Sequence, residues 1–251
     1  MIYGDNPVKN SYYNDALGLS SYVPNLSAIR QSGNRYVYCS NNPIMYADPS
    51  GNWEIIINPI KMLFTPYAAR AKFAVASLVY NSSYSVTGFI YGQRNANVTN
   101  MRFGGSTVGY SGCEAIAVYN AMLLLGKNVS FHSVIFEFDL NGAYFLPLIG
   151  GTFGGNYKMF GDYFRAHRIK ATGTSNKNTF NSWAQPGGVY ILTFWNDAND
   201  ITKGIHTVAA SYDGNTYTVY NRWNNDTAPR QFDSVDAILY NGSFIYGWMV
   251  G

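Results

Sequence analysis

The chain has 251 residues, of which 47% are hydrophobic and 12% are charged, so it is long and apolar enough to form an ordered core. A formal net charge of +3 is too small to indicate a nucleic-acid partner or a membrane-surface partner. Cys39 and Cys113 are the two cysteines, and they lie far apart. They form no disulfide framework, and no Cys/His spacing is typical of zinc, so we expect no metal and no cofactor.

The start of the chain, Met1 to Asp5, has neither the basic region nor the apolar region of a secretory signal. Residues 55–80 form the most apolar stretch, but prolines and basic residues interrupt it. A membrane span needs about 20 nearly uncharged residues, so we predict none.

Residues 1–52 are polar and rich in turn-forming residues, and they end in the run from Asn34 to Asn52. The residues predict a short strand, a turn at Asn42-Pro43, a second short strand and a turn at Asp48-Pro49-Ser50-Gly51.

This run also resembles the end of the core of Rhs and other YD-repeat proteins. In that family an N-x-Y-x-Y-C-x-N-N-P run is followed by D-P-x-G and then by a variable toxin module. The resemblance implies a delivered effector within a larger protein, opposed by a cognate immunity protein. Self-cleaving members carry catalytic acids and a second motif copy; only Asp48 to Gly51 matches here, which does not support self-cleavage near Asp48-Pro49.

A helix is predicted from about Ser111 to Gly126, because good helix formers follow Ser111 and Gly126 is a plausible stop. Ser111 and Glu114 have the spacing of a capping box. Cys113 then lies in the first turn, where the helix dipole and unpaired backbone N–H groups favour the nucleophilic thiolate. The alternative is a buried, unreactive cysteine.

Other elements follow from periodicity and composition. Helices are predicted over 67–80 and 157–167, and residues 131–138 fit either a helix or a strand. Strands are predicted over 169–172, 188–195, 205–212, 217–221, 237–240 and 244–250. Helices followed by consecutive strands indicate an α+β fold with an antiparallel sheet. We divide the chain into residues 1–52, a helical connector over 53–95, and a last domain over 96–251.

The strands over 205–212 and 217–221 predict a hairpin that turns at Asp213-Gly214. This turn would pair Tyr212 with Asn215 and therefore His206 with Asn221. Opposed residues have Cβ atoms about 4.5–5.5 Å apart, so the amide of Asn221 could orient an imidazole that serves as a base for a thiol. His132 and His167 are the competing histidines; His167 lies among basic residues and His132 has no recognisable partner.

The order Cys113, His206, Asn221 over residues 100–225 resembles that of papain-like cysteine peptidases. Asn221-Arg222-Trp223 resembles the Asn-Ser-Trp of papain relatives. The resemblance implies a papain-like fold, with the cysteine-bearing helix packed on the antiparallel sheet. It also implies that Cys113 is the nucleophile, His206 the general base and acid, and Asn221 the residue that orients it.

Two residues depart from that family pattern. Glu114 follows the cysteine where papain has an aromatic residue, and Thr107 stands six residues before the cysteine, where related peptidases place a glutamine. The backbone N–H of Cys113 is one expected oxyanion donor. Gln93 and Asn100 are weaker candidates for the second.

The sequence therefore predicts a cysteine peptidase that acts on protein or peptide amides as the toxic C-terminal module of an Rhs-type protein. A deamidase or an acyl transferase could use the same residues, because a fold does not select the acceptor. The alternative from a different functional class is a binding module on the same fold that has no catalytic activity.

Overall fold

The computed structural model describes residues 46–47, 55–56, 67–141 and 155–251. The Cα positions divide the chain into two units, residues 1–59 and residues 60–251. In the first unit, β1 (Tyr46–Ala47) pairs antiparallel with β2 (Ile55–Ile56). The Asn42-Pro43 and Asp48-Pro49-Ser50-Gly51 turns lie outside the described residues.

A helical layer precedes the main sheet of the second unit. It begins with α1 (Tyr67–Asn81), followed by a short hairpin of β3 (Arg102–Phe103) and β4 (Ser106–Thr107). A single turn, α2 (Val108–Ser111), leads directly into α3 (Cys113–Leu124), which is followed by α4 (Phe131–Asn141). Helix α1 packs against α4, within the same unit as the rest.

Helix α3 is the centre of this layer, because every residue from Cys113 to Met122 is buried. A helix that is buried on all sides lies inside a protein core. It ends as the sequence predicts: Leu125 is the C-cap, and Gly126 has a φ of 71°, a left-handed conformation that favours glycine.

The second half of the unit begins with a 3₁₀ turn (Tyr157–Met159) and α5 (Phe160–Ala166). The remaining elements are β5 (Ala171–Thr174), α6 (Lys177–Asn181), β6 (Val189–Trp195), a 3₁₀ turn (Ile201–Lys203), β7 (Ile205–Tyr212), β8 (Tyr217–Tyr220), β9 (Arg230–Phe232), α7 (Val235–Leu239) and β10 (Ser243–Val250). Six of these strands form one antiparallel sheet in the order β5-β10-β6-β7-β8-β9.

Alternate residues of the central strands supply two separate hydrophobic cores. Ile191 of β6 and Ala209 of β7 belong to the core that contains α3, whereas Leu192 and Val208 belong to the other. The second core also contains Ile238 of α7. This alternation is the period of two expected for a strand covered on both faces. The α+β class with an antiparallel sheet is confirmed.

Most predicted elements lie within a few residues of the observed ones, and residues 131–138 form a helix. The strand predicted over residues 237–240 is wrong, because residues 237–239 belong to helix α7 and Tyr240 is its C-cap. Ser234 caps the helix by accepting the N–H of Ala237 at 3.2 Å. Val235, Ile238 and Leu239 are then spaced to bury one helical face in the second core.

The hairpin register also differs from the prediction. Tyr212 pairs with Tyr217 and Ala209 with Tyr220, so the loop has four residues, Asp213 to Thr216. The Asp213 carboxylate accepts the N–H groups of Asn215 and Thr216 at 2.7 and 2.8 Å, which stabilises this longer turn over a two-residue one. The pairing predicted for His206 and Asn221 is therefore wrong, because the β7–β8 ladder ends at Ala209 and Tyr220.

No helix within the described residues is long and apolar enough to cross a membrane. The division into residues 1–52, 53–95 and 96–251 stays a prediction.

Candidate active site

The candidate site lies at the edge of β7 over residues 205–208, which have no paired residue in β8. Tyr212 donates its N–H to Gly188 O, and Asn196 donates its N–H to Gly204 O, so even-numbered residues of β7 bond toward β6. Odd-numbered residues therefore direct their N–H groups toward β8. Because β8 ends opposite Ala209, the N–H of Thr207 is free of the ladder.

Cys113 places its thiol at this edge. The residue begins α3, which packs on β7, and its side chain is only 6% exposed. The backbone N–H of Thr207 interacts with the sulfur. The thiol itself donates to Glu114 Oε2 at 3.2 Å.

The predicted capping box is not formed. Helix α3 begins after Gly112, with no side-chain cap, and Ser111 lies in the separate turn α2. The Ser111 hydroxyl donates to Thr107 O at 3.4 Å. Glu114 is free to turn inward, and it is fully buried beside the thiol.

Glu114 is the functional candidate that sequence reasoning missed. Besides the thiol, its carboxyl accepts the N–H of Gly155 at 3.1 Å and the Thr207 hydroxyl at 3.3 Å. Burial raises the pKa of Glu114 to about 7, against these hydrogen bonds, which lower it. The sequence signal was the acidic residue that stands where papain has an aromatic one.

The pKa of the Cys113 thiol is shifted in the direction opposite to the predicted one. Burial raises the pKa of Cys113 well above its ordinary value, and the neighbouring charge of Glu114 raises it further. The Thr207 N–H lowers the pKa of the thiol, but by less than burial and Glu114 raise it. The expectation of a thiolate favoured by the helix N-terminus is wrong, because desolvation and a like charge outweigh the dipole.

His206 lies on β7, immediately before Thr207, and is 5% exposed. Its ring packs edge-on against Phe194, with ring centroids 5.9 Å apart. Nε2 lies 2.6 Å from the backbone carbonyl oxygen of Asn221. Burial lowers the pKa of His206 to about 4, although that contact raises it, so the ring is neutral at pH 7.

Asn221 follows the last residue of β8 and adopts a φ of 63°, a left-handed conformation that asparagine tolerates. Its side chain makes no hydrogen bond to the imidazole: Oδ1 accepts the N–H of Gln93 at 2.8 Å, and the buried Nδ2 has no hydrogen-bond partner in the described part of the chain. The prediction that its amide orients His206 is therefore corrected, because the backbone carbonyl makes that contact instead.

The two weaker oxyanion candidates lie in different places. Gln93 is buried next to Asn221, and its Nε2 donates to Gly109 O at 3.3 Å. That bond uses one of the two N–H donors of the amide, and a role of Gln93 as an oxyanion donor stays a prediction. Asn100 is exposed.

The structure thus brings His206, Asn221 and Gln93 together, and it brings Cys113 to the same edge of β7. Within the described residues, no hydrogen bond joins the thiol to the imidazole, because each is bound to another group. Thr207 and Glu114 lie on the α3 face of the sheet, whereas His206 shares the other face with Phe194. The two groups therefore reach the edge from opposite faces.

The competing histidines lie elsewhere. His132 contacts the backbone carbonyl of Asn81 at 2.7 Å, and His167 contacts Glu137 Oε1 at 2.9 Å. Neither has a hydrogen bond to a residue of the candidate site among the described residues.

Among the described residues, no group of three or more His, Cys, Asp or Glu side chains could hold a metal ion.

No family model matches the sequence, and no curated protein matches it. The fold and geometry define an α+β protein with a buried cysteine, a buried neutral histidine and an asparagine at one sheet edge.

Proposed function

We propose that the protein is a cysteine hydrolase of amide bonds, with Cys113 as nucleophile and His206 as general base and acid. The papain-like fold and the peptidase specificity are parts of this proposal. So is a role as the toxic module of an Rhs-type effector, which rests on the resemblance of residues 34–52.

The hydrogen bond between His206 Nε2 and the backbone carbonyl oxygen of Asn221 is the observation that carries the proposal. A carbonyl oxygen can only accept a hydrogen bond, so Nε2 must donate to Asn221 O and carry the proton. Because the ring is neutral, Nδ1 carries a lone pair. Nδ1 has no hydrogen bond among the described residues, so it is available to accept a thiol proton.

The proposed reaction requires the thiol to leave Glu114 first, because the thiol and the imidazole reach the edge of β7 from opposite faces of the sheet. The Cys113 proton moves to Nδ1 while the sulfur bonds to the amide carbonyl carbon. The imidazolium returns that proton to the leaving nitrogen as the C–N bond breaks. A water molecule then cleaves the thioester, with one of its protons passing through Nδ1 back to the sulfur.

A binding module without activity is the second candidate. The buried, protonated thiol and the missing thiol–imidazole hydrogen bond favour it. Deamidation and acyl transfer differ from peptidase action only in substrate or acceptor, and no contact described above selects among them.

Induced expression of the full chain in a bacterium tests the proposal. We expect growth arrest with the wild-type chain and normal growth with Cys113→Ala and His206→Ala, at equal protein levels. His132→Ala is the matched control and should arrest growth like the wild type. Arrest by Cys113→Ala as strong as that by the wild type would contradict a thiol nucleophile.

A further inference from the structure

The Glu114 carboxyl is fully buried and holds three donors from three segments of the chain. Cys113 Sγ and the Gly155 N–H both donate to Oε2, at 3.2 and 3.1 Å. The Thr207 hydroxyl donates to Oε1 at 3.3 Å and also lies 3.0 Å from the hydroxyl of Thr193. These protein donors take the place of the water that would bind an exposed carboxyl in the first turn of a helix.

These contacts identify the surroundings of the carboxyl from each element packed against it. Helix α3 supplies the thiol, β7 supplies the Thr207 hydroxyl, which also bonds the Thr193 hydroxyl of β6, and Gly155 supplies an N–H. Among the described residues, the thiol is the titratable partner that affects the carboxyl, and the carboxyl is the one that affects the thiol.

We propose that Glu114 is a positioning residue for the hydrolase. Its carboxylate binds the Cys113 thiol as a hydrogen-bond donor, keeps the proton on sulfur, and must release the thiol before the sulfur can reach His206. This inference rests on the proposed function for its catalytic meaning, but the restraint on the thiol can be measured without a substrate.

Glu114→Gln removes the negative charge of the side chain and keeps nearly the same shape. The amide oxygen can still accept the Gly155 N–H, and the amide N–H₂ can donate to the Thr207 hydroxyl, which is able to accept. The thiol then faces a neutral group, so its proton should leave more readily.

The test measures alkylation of Cys113 by iodoacetamide against pH, in the full chain with Cys39→Ser so that one thiol reports. We expect Glu114→Gln to react about tenfold faster than the parent at pH 7.5, the change that one pKa unit gives in thiolate fraction. Glu137→Gln removes the same charge from α4, where Glu137 bonds His167, and should leave the rate unchanged. A Glu114→Gln rate equal to or below that of the parent would overturn the proposal.

A reciprocal measurement remains informative if Glu114→Gln fails to fold. The thiol hydrogen bond lowers the pKa of Glu114, so Cys113→Ala should shift the carboxyl titration to higher pH, read by ¹³C NMR of labelled glutamate. Cys113→Ser keeps a donor and should shift it less. Identical titrations in the parent and in Cys113→Ala would refute the coupling.

The two proposals fail separately. Faster alkylation of Glu114→Gln in a chain that neither arrests growth nor cleaves any substrate would retain the restraint and reject the hydrolase. An active hydrolase whose Glu114→Gln variant shows unchanged alkylation would retain the hydrolase and reject the restraint on the thiol.

Discussion

His206 donates a hydrogen bond from Nε2 to the backbone carbonyl oxygen of Asn221 at 2.6 Å, across the point where β8 ends. The contact fixes the tautomer of a neutral ring and leaves Nδ1 with the lone pair. A backbone carbonyl thus does for His206 what the sequence assigned to a side-chain amide.

Replacement of His206 by alanine should lower the activity by about 10²–10⁴-fold, because the base takes up and returns the proton in the transition state. The assay is hydrolysis or growth arrest, with melting curves as a control for folding. His132→Ala and His167→Ala should retain activity. Full activity in His206→Ala would require another base and would remove the central argument.

Asn221→Ala should weaken activity less than His206→Ala, because the backbone carbonyl that holds the ring remains. It should destabilise the fold by about 1–3 kcal/mol, since the Gln93 N–H loses its buried acceptor. Denaturant unfolding measures this loss, with the exposed Asn100→Ala as the neutral control. If Asn221→Ala were as inactive as Cys113→Ala at unchanged stability, the side chain would have a direct catalytic role.

The wild-type thiol should titrate above the value of about 8.5 for a free cysteine, because burial and the charge of Glu114 both raise the pKa of Cys113. The pH dependence of alkylation in a Cys39→Ser chain measures it. A midpoint below that value would instead support the thiolate expected from a helix N-terminus.

Asp139 provides a pH prediction that is independent of function. Burial raises the pKa of this carboxyl to about 7, against hydrogen bonds from the Ser77 hydroxyl and the Gly104 N–H. Between pH 3.8 and 7 the folded state therefore keeps a proton that the unfolded state releases. The contribution of Asp139 to stability is greatest below this window and is lost as the pH rises through it.

The free energy of unfolding of the wild type, relative to Asp139→Asn, should accordingly fall between pH 5 and pH 8. Urea unfolding of both proteins at the two pH values tests this. A difference that grows in favour of the wild type with rising pH would contradict the assignment.

Local sequence patterns predicted much of the fold. The apolar run after Cys113 predicts α3, and the alternation along residues 188–195 and 205–212 predicts β6 and β7. Each of these patterns depends on the residues of one element alone, so contacts with the rest of the protein do not change the structure that it predicts. The strand prediction over residues 237–240 is wrong because the helical spacing of Val235 to Leu239 spans barely one turn and gives little signal.

The site was harder to predict, because its contacts depend on tertiary structure. Whether Glu114 caps a helix or turns inward is decided by Thr207 and Gly155, which are distant in sequence. The partner of His206 differs from the prediction because the Asp213 carboxylate stabilises a four-residue turn, which shifts the register, and because β8 ends at Tyr220.

The appearance of new protein N-termini in a bacterial lysate treated with the full chain tests the account most directly. We predict that the wild type generates new N-termini, detected by mass spectrometry, and that Cys113→Ala and His206→Ala generate none above background. Conversion of Gln to Glu without new termini would indicate the deamidase instead. Identical products from the wild type and Cys113→Ala, or no change of substrate proteins by the wild type, would contradict a cysteine hydrolase.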